Sequence, residues 1–129
     1  MELKLELVPI PVADVDRAKA FYADTLGFHV DVDVRPVEGA RVVQVTPPGS
    51  SCSIGFGTGF AAYEGTPGSV RALHLVVADI EKARAELVGR GVEVDEVSGG
   101  GGVLFAGFSD PDGNGLILQE MAWRTEENF

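Results

Sequence analysis

Apolar residues recur along this chain with two periods, about 3.6 residues and about two, and the same succession of periods occurs twice. Val15, Ala18, Phe21, Tyr22 and Leu26 fall on one stripe of a predicted helix, and Ile80, Ala83 and Leu87 fall on the stripe of another. Asp14 and Asp79 stand where a side chain can accept the first free N–H groups of these helices, and Gly27 and Gly91 stand where they should stop. Strand patterns surround both helices. LVPIP (7–11) and ALHLV (72–76) precede them, and after the first helix Val30, Val32 and Val34 alternate with His29, Asp31, Asp33 and Arg35. RVVQV and CSIGF continue across the turn at residues 47–50, while GVEVDEV, VLFAGF and LILQEMAW are the strand candidates of the second half. Each half thus predicts the order βαβββ.

The halves are also related residue by residue. Sliding the chain on itself by 65 positions sets VADVDRAKA (12–20) over VADIEKARA (77–85), every position identical or conservatively exchanged. The preceding segments fall into register too, and after a one-residue gap LGFHVDVD lies over RGVEVDEV. Such a repeat marks one supersecondary unit used twice. The expected organisation is a single domain over residues 1–129: a first module at about 3–58, a linker rich in Gly, Ala and Pro at about 59–71, a second module at about 72–123 and a polar tail at 124–129.

The segment DPDGNG (110–115) matches the first half of the EF-hand calcium loop, but the bidentate carboxylate of position twelve falls on Met121, and Glu120 is one residue short. On a strand one residue reverses a side chain's direction. A tight turn fits better: Pro111 presets φ, Asp110 can bond its own backbone, and Gly113 or Gly115 supplies a positive φ. The run SGGGG (98–102) precedes a strand rather than a helix, so no helix amino terminus would aim at an anion there, and it is expected to be a flexible connection.

Composition narrows the function. At 129 residues, 45% hydrophobic, the chain can bury a real core. No stretch approaches the ~20 apolar residues of a membrane span. MELKLELVPIPV lacks the basic start and cleavage site of a signal peptide, which points to a cytoplasmic location. The single cysteine, Cys52, cannot form an internal disulfide, and nothing near it would lower its pKa, so it reads as a small strand residue. A net charge of −10 repels phosphate backbones and anionic lipid, so no nucleic-acid or membrane partner is expected.

The pairing of a V-x-D-[hydrophobic]-x-[basic]-A helix start with a terminal DPDGN turn and strand, duplicated within one short chain, resembles the vicinal oxygen chelate superfamily. That group includes glyoxalase I, extradiol dioxygenases, fosfomycin-modifying enzymes and bleomycin resistance proteins. The resemblance implies an α+β fold in which two βαβββ modules form an incomplete barrel around a concave ligand cavity, commonly in a homodimer. It also implies a divalent metal held by His, Glu or Gln from strands of both modules. Carried onto this chain, the positions are Leu7 and Ala72, each seven residues before a helix-cap Asp, and Ile117, four residues after DPDG. The fourth lies in SCSIGFG, which has no His, Glu or Gln in any register. No metal and no other cofactor is therefore expected.

If Leu7, Ala72 and Ile117 point inward, alternation turns Pro9, His74, Val76, Gln119, Met121 and Trp123 inward with them, and turns Glu6 and Glu120 away. The candidate ligand-binding residues are Leu7, Pro9, Arg35, Phe56, Phe60, His74, Phe105, Phe108, Gln119, Met121 and Trp123, with no catalytic residue among them. His29, Asp31, Asp33 and Arg35 share one face and are candidates to line the mouth. The favoured function is metal-free binding, as in the bleomycin resistance branch, conferring antibiotic resistance by sequestering a bulky aromatic natural product. The alternative is an enzyme of the same fold, a lyase, isomerase or dioxygenase, using non-standard metal ligands or acid/base chemistry by His74.

Overall fold

A computed structural model of the chain describes residues 1–124 and 129. Of the polar tail expected at 124–129, residues 125–128 lie outside the described residues. Two compact units are present: Met1–Val70 with Pro111–Gly113, and Arg71–Asp110 with Asn114–Phe129. The expected linker is gathered into the first unit as far as Val70.

In the first unit, strands β1 (Leu7–Pro9), β2 (His29–Val34), β3 (Arg41–Thr46) and β4 (Ser53–Thr58) form a sheet in the order β1-β4-β3-β2. β1 runs parallel to β4, and the other pairs are antiparallel. Helix α1 (Val15–Lys19) starts at Asp14, whose side chain accepts the Arg17 N–H at 3.1 Å. Val15 and Ala18 bury its inner face, and Tyr22 just beyond it packs its ring 5.7 Å from Phe28 and 5.8 Å from Phe56. Phe56 and Ile54 on β4 stand opposite Val43 and Val45 on β3, and all four are buried.

The first helix was expected to run evenly to Leu26. It widens instead into a π-helical turn over Ala20–Thr25, where the Leu26 N–H donates to the Phe21 carbonyl five residues back at 2.9 Å. Gly27 follows Asp14 by thirteen positions, but Gly91 follows Asp79 by twelve. The wide turn takes up the extra one.

The second unit repeats the plan with β5 (Leu73–Val76), α2 (Ile80–Gly89), β6 (Ser98–Gly100), β7 (Val103–Ser109) and β8 (Gly115–Met121), in sheet order β5-β8-β7-β6. Asp79 caps α2 by accepting the Lys82 N–H at 3.1 Å, and Glu120 on β8 accepts the Ile80 N–H at 2.9 Å. Leu116, Leu118, Ala106 and Phe108 share the buried side of this sheet.

One expected strand is absent. GVEVDEV forms no ladder: Val92 and Val94 are buried, but a single bond, Asp95 N–H to the Gly107 carbonyl at 2.9 Å, links it to β7. Arg84 of α2 takes the carbonyls of Asp95 and Val94 at 2.7 and 3.0 Å, so those acceptors go to a side chain rather than a neighbouring strand. The ladder falls on SGG instead, the run expected to be a flexible connection. The fold is thus α+β, built from two βαβββ modules, and no helix among the described residues is long and apolar enough to cross a membrane.

Candidate functional site

Each sheet has one side buried under its helix and one open side, and the open sides carry the candidate chemistry. In the second unit the register sets His74, Ile117 and Gly107 in one row and Val76, Gln119 and Phe105 in the next, all on the open side. Because Gly107 has no side chain, its row ends in a gap, and the His74 ring meets the Phe105 ring edge-on with centroids 6.4 Å apart. The gap is overhung by a residue that sequence patterning missed: a Cβ built on Gly107 would lie 3.1 Å from Asp95 Oδ2. Asp95 was read on a strand that does not exist, so its direction was not legible. Met121 closes β8 on the same side, half-buried, and Trp123 follows it, 59% exposed.

The open side of the first sheet is a polar strip beside an apolar one. Gln44 donates its Nε2 to Glu6 Oε2 at 2.9 Å and to Ser53 Oγ at 3.1 Å; Ser53 Oγ lies 2.6 Å from Thr46 Oγ1, which in turn bonds the Asp31 carboxylate. Glu6, expected to turn away, therefore reaches this side. The signal for Gln44 and Thr46 was in the alternation of RVVQVT, whose buried members are Arg41, Val43 and Val45. Beside the strip, Leu7 and the Tyr63 ring converge over Gly55: a Cβ there would lie 3.2 Å from each. Tyr63, in a short 3-10 turn over Ala61–Tyr63, was passed over as linker.

Several candidates lie elsewhere. Phe56 is fully buried against Tyr22, and Phe108 is on the buried side of the second sheet; both are core, because the register puts them opposite Val43 and Leu116. Arg35 is exposed just past the end of β2 and Phe60 at the start of the 3-10 turn, whereas Pro9, opposite Gly55 at the end of β1, is on the open side of the first sheet with Leu7. The shared face of His29, Asp31 and Asp33 is broken by a β-bulge, since Asp31 is an extra residue between the pairs Val30–Val45 and Val32–Gln44. Asp33 consequently points to the helix side, where it receives Arg41 Nε at 3.0 Å and Lys19 Nζ at 2.7 Å. The bond from Arg41, then that from Lys19, holds the Asp33 carboxyl well below the usual carboxylate range.

The donor set does not fit a divalent metal. Leu7, Ala72 and Ile117 offer no lone pair from their side chains, and the β4 residues paired with Leu7 and Pro9 are Ser53 and Gly55. Among the described residues no group of three or more His, Cys, Asp or Glu side chains is placed to hold an ion.

A family model described as glyoxalase/bleomycin resistance protein/dioxygenase superfamily matches residues 4–118. Among solved structures, TnmS3, an antibiotic binding protein from Streptomyces sp. CB03234, is 36% identical with a TM-score of 0.80, covering 93% of this chain and 97% of its own. A glyoxalase/bleomycin resistance protein from the same organism is 37% identical over 89% and 98%, TM-score 0.74. A superfamily member from Sphaerobacter thermophilus DSM 20745 is 31% identical over 92% and 98%, TM-score 0.79. A search of curated proteins gave no match. Two βαβββ modules of like sheet order and a family match over nearly the whole length agree: the chain belongs to the glyoxalase/bleomycin resistance protein/dioxygenase superfamily.

Proposed function

We propose that this chain is a binding protein that holds a bulky aromatic natural product unchanged and, acting in the cytoplasm, protects its host by sequestration. The observation that carries the reading is the 36% identity, over 93% of the chain, to an antibiotic binding protein. The donor-poor sheet faces support it, because Lewis-acid chemistry needs several ligands that these strands do not offer. In this reading the ligand lies flat on the open side of the second sheet, against Phe105, Ile117 and Met121, while His74 and Gln119 orient its polar groups. Stacking on one ring adds ~0.5 to 1.5 kcal/mol beyond burial, which suits micromolar binding or better.

Titration with polycyclic or heteroaromatic antibiotics of the bleomycin, mitomycin or enediyne type should quench Trp123 fluorescence and saturate near one ligand per site. Phe105→Ala should weaken binding about tenfold, and a chelator should leave it unchanged. Recovery of chemically altered ligand at catalytic protein concentration would replace sequestration with an enzyme acting through His74.

The protein is further proposed to work as a homodimer. Each sheet ends in open edges, β1 and β2 in the first and β5 and β6 in the second, and paired chains cover such edges. Light scattering should give twice the 13.6 kDa chain mass at micromolar concentration; the single-chain mass would refute the dimer.

A further inference from the structure

Asp95 lies on a segment that joins no ladder, yet the backbone around it is pinned at three points. Its N–H donates to the Gly107 carbonyl at 2.9 Å, Arg84 Nε donates to its carbonyl at 2.7 Å, and an Arg84 Nη donates to the Val94 carbonyl at 3.0 Å. Val92 and Val94, on the same segment, are buried. These bonds set the Asp95 side chain over the gap at Gly107, where a Cβ would lie 3.1 Å from its Oδ2. Arg84 is occupied by carbonyls, and among the described residues no hydrogen bond or ion pair reaches the Asp95 carboxylate. An acceptor held in place with its lone pairs open is already organised for a donor that arrives from outside.

The row beneath it has a definite length. From His74 across Ile117 to Gly107 it spans two strand spacings, roughly 10 Å, with Val76, Gln119 and Phe105 forming the next row. Ile117 and Phe105 are half-buried and make an apolar floor. A fused three-ring aromatic is about as long as the row, and at Gly107 its rim can drop to the level of the backbone because no side chain stands there. The rim then meets Asp95. A carboxylate only accepts, so a rim that presents further acceptors leaves it desolvated without a partner, whereas an N–H satisfies it. The net charge of −10 adds a preference for a cation.

We propose that Asp95 selects the ligand: a fused planar ring system lies over Ile117 and Gly107 with a protonated, N–H-bearing rim in the gap, donating to the Asp95 carboxylate. This rests on the binding reading above, which places the ligand on this side of the sheet, and adds its chemical class, a planar polycycle with a basic amine at its rim.

The test is a calorimetric titration of the whole chain with three probes of similar shape. Proflavine, cationic near neutrality with N–H groups at its rim, should bind about tenfold more tightly than acridine, which has the same rings without charge or donors. Anthracene-9-carboxylate, an anion, should bind most weakly. Asp95→Asn should reduce proflavine affinity about tenfold and leave acridine within about twofold. Glu93→Gln removes one charge from the same segment and should leave both within about twofold, which separates contact from the long-range pull of an acidic chain. Gly107→Ala puts a methyl in the gap and should weaken both about fivefold or more. Unchanged proflavine binding in Asp95→Asn, or equal losses in Asp95→Asn and Glu93→Gln, overturns the assignment while the binding protein stands. Absence of saturable binding by both ring systems overturns it too, and the antibiotic titration then decides the sequestration reading on its own.

Discussion

Replacing Arg41 by methionine is expected to lower the stability of the chain by about 2 to 3 kcal/mol. Arg41 is 9% exposed, and its guanidinium donates Nε to Asp33 Oδ1 and an Nη to Asp33 Oδ2, both at 3.0 Å, and its other Nη to Asp16 Oδ1 at 2.6 Å. Asp16 is largely in water and contributes little. Asp33 is half-buried, and without Arg41 it keeps only Lys19. The cluster ties α1, β2 and β3 together, so its loss should appear as an earlier denaturation midpoint of the whole transition. Because Arg41 and Lys19 depress the folded-state pKa of Asp33, the stabilisation is fully present above the unfolded carboxylate value, ~3.9, and is lost as pH falls through and below it. The deficit of the methionine variant should therefore be steady near neutrality and shrink below about pH 4. A deficit equal at both extremes would assign the effect to the packed aliphatic stem of Arg41 instead.

Asn114→Ala should cost a similar amount, about 2 kcal/mol or more, by thermal or chemical denaturation. Asn114 is fully buried; it donates its N–H to Asp110 Oδ1 and its Nδ2 to Asp110 Oδ2, both at 2.9 Å, and its carbonyl accepts the Asp110 N–H at 2.9 Å. Truncation takes one donor from a buried carboxylate and leaves a hole beside it. Asn114→Asp should be worse, since it sets a second carboxylate against the first. A loss below about 0.5 kcal/mol would show that the turn is held by its backbone alone.

These two side chains also mark what the sequence makes legible. The turn at 110–115 could be read because its chemistry is local: Asp110 and Asn114 are four residues apart and bond each other. The helix starts at Asp14 and Asp79 were legible for the same reason. In the second sheet, the side on which His74 and Gln119 lie could be read by counting, because the β8 ladder is unbroken from Gly115 to Met121. In the first sheet counting failed after Asp31, since one bulged residue inverts every later position and carries Asp33 to Arg41. Phe56 and Phe108 gave no local clue to their side, because an aromatic on a strand with Gly neighbours fits core and ligand face alike. Asp95 and Tyr63 were out of reach: one depends on Arg84 taking strand carbonyls, the other on a linker folding back over Gly55.

The π-helical turn at Ala20–Thr25 is also a record of ancestry. Two copies of one ancestral module should carry helices of equal length, yet the first holds one residue more between its capping Asp and its terminal Gly. A single codon gained in the first copy, or lost from the second, after the duplication leaves that mark. The widened turn confines the extra residue to six positions, so that the Tyr22 ring still meets both Phe28 and Phe56 and β2 still enters its sheet. Relatives that share the wide turn would descend from the lineage after that codon change, and relatives with two equal helices from before it.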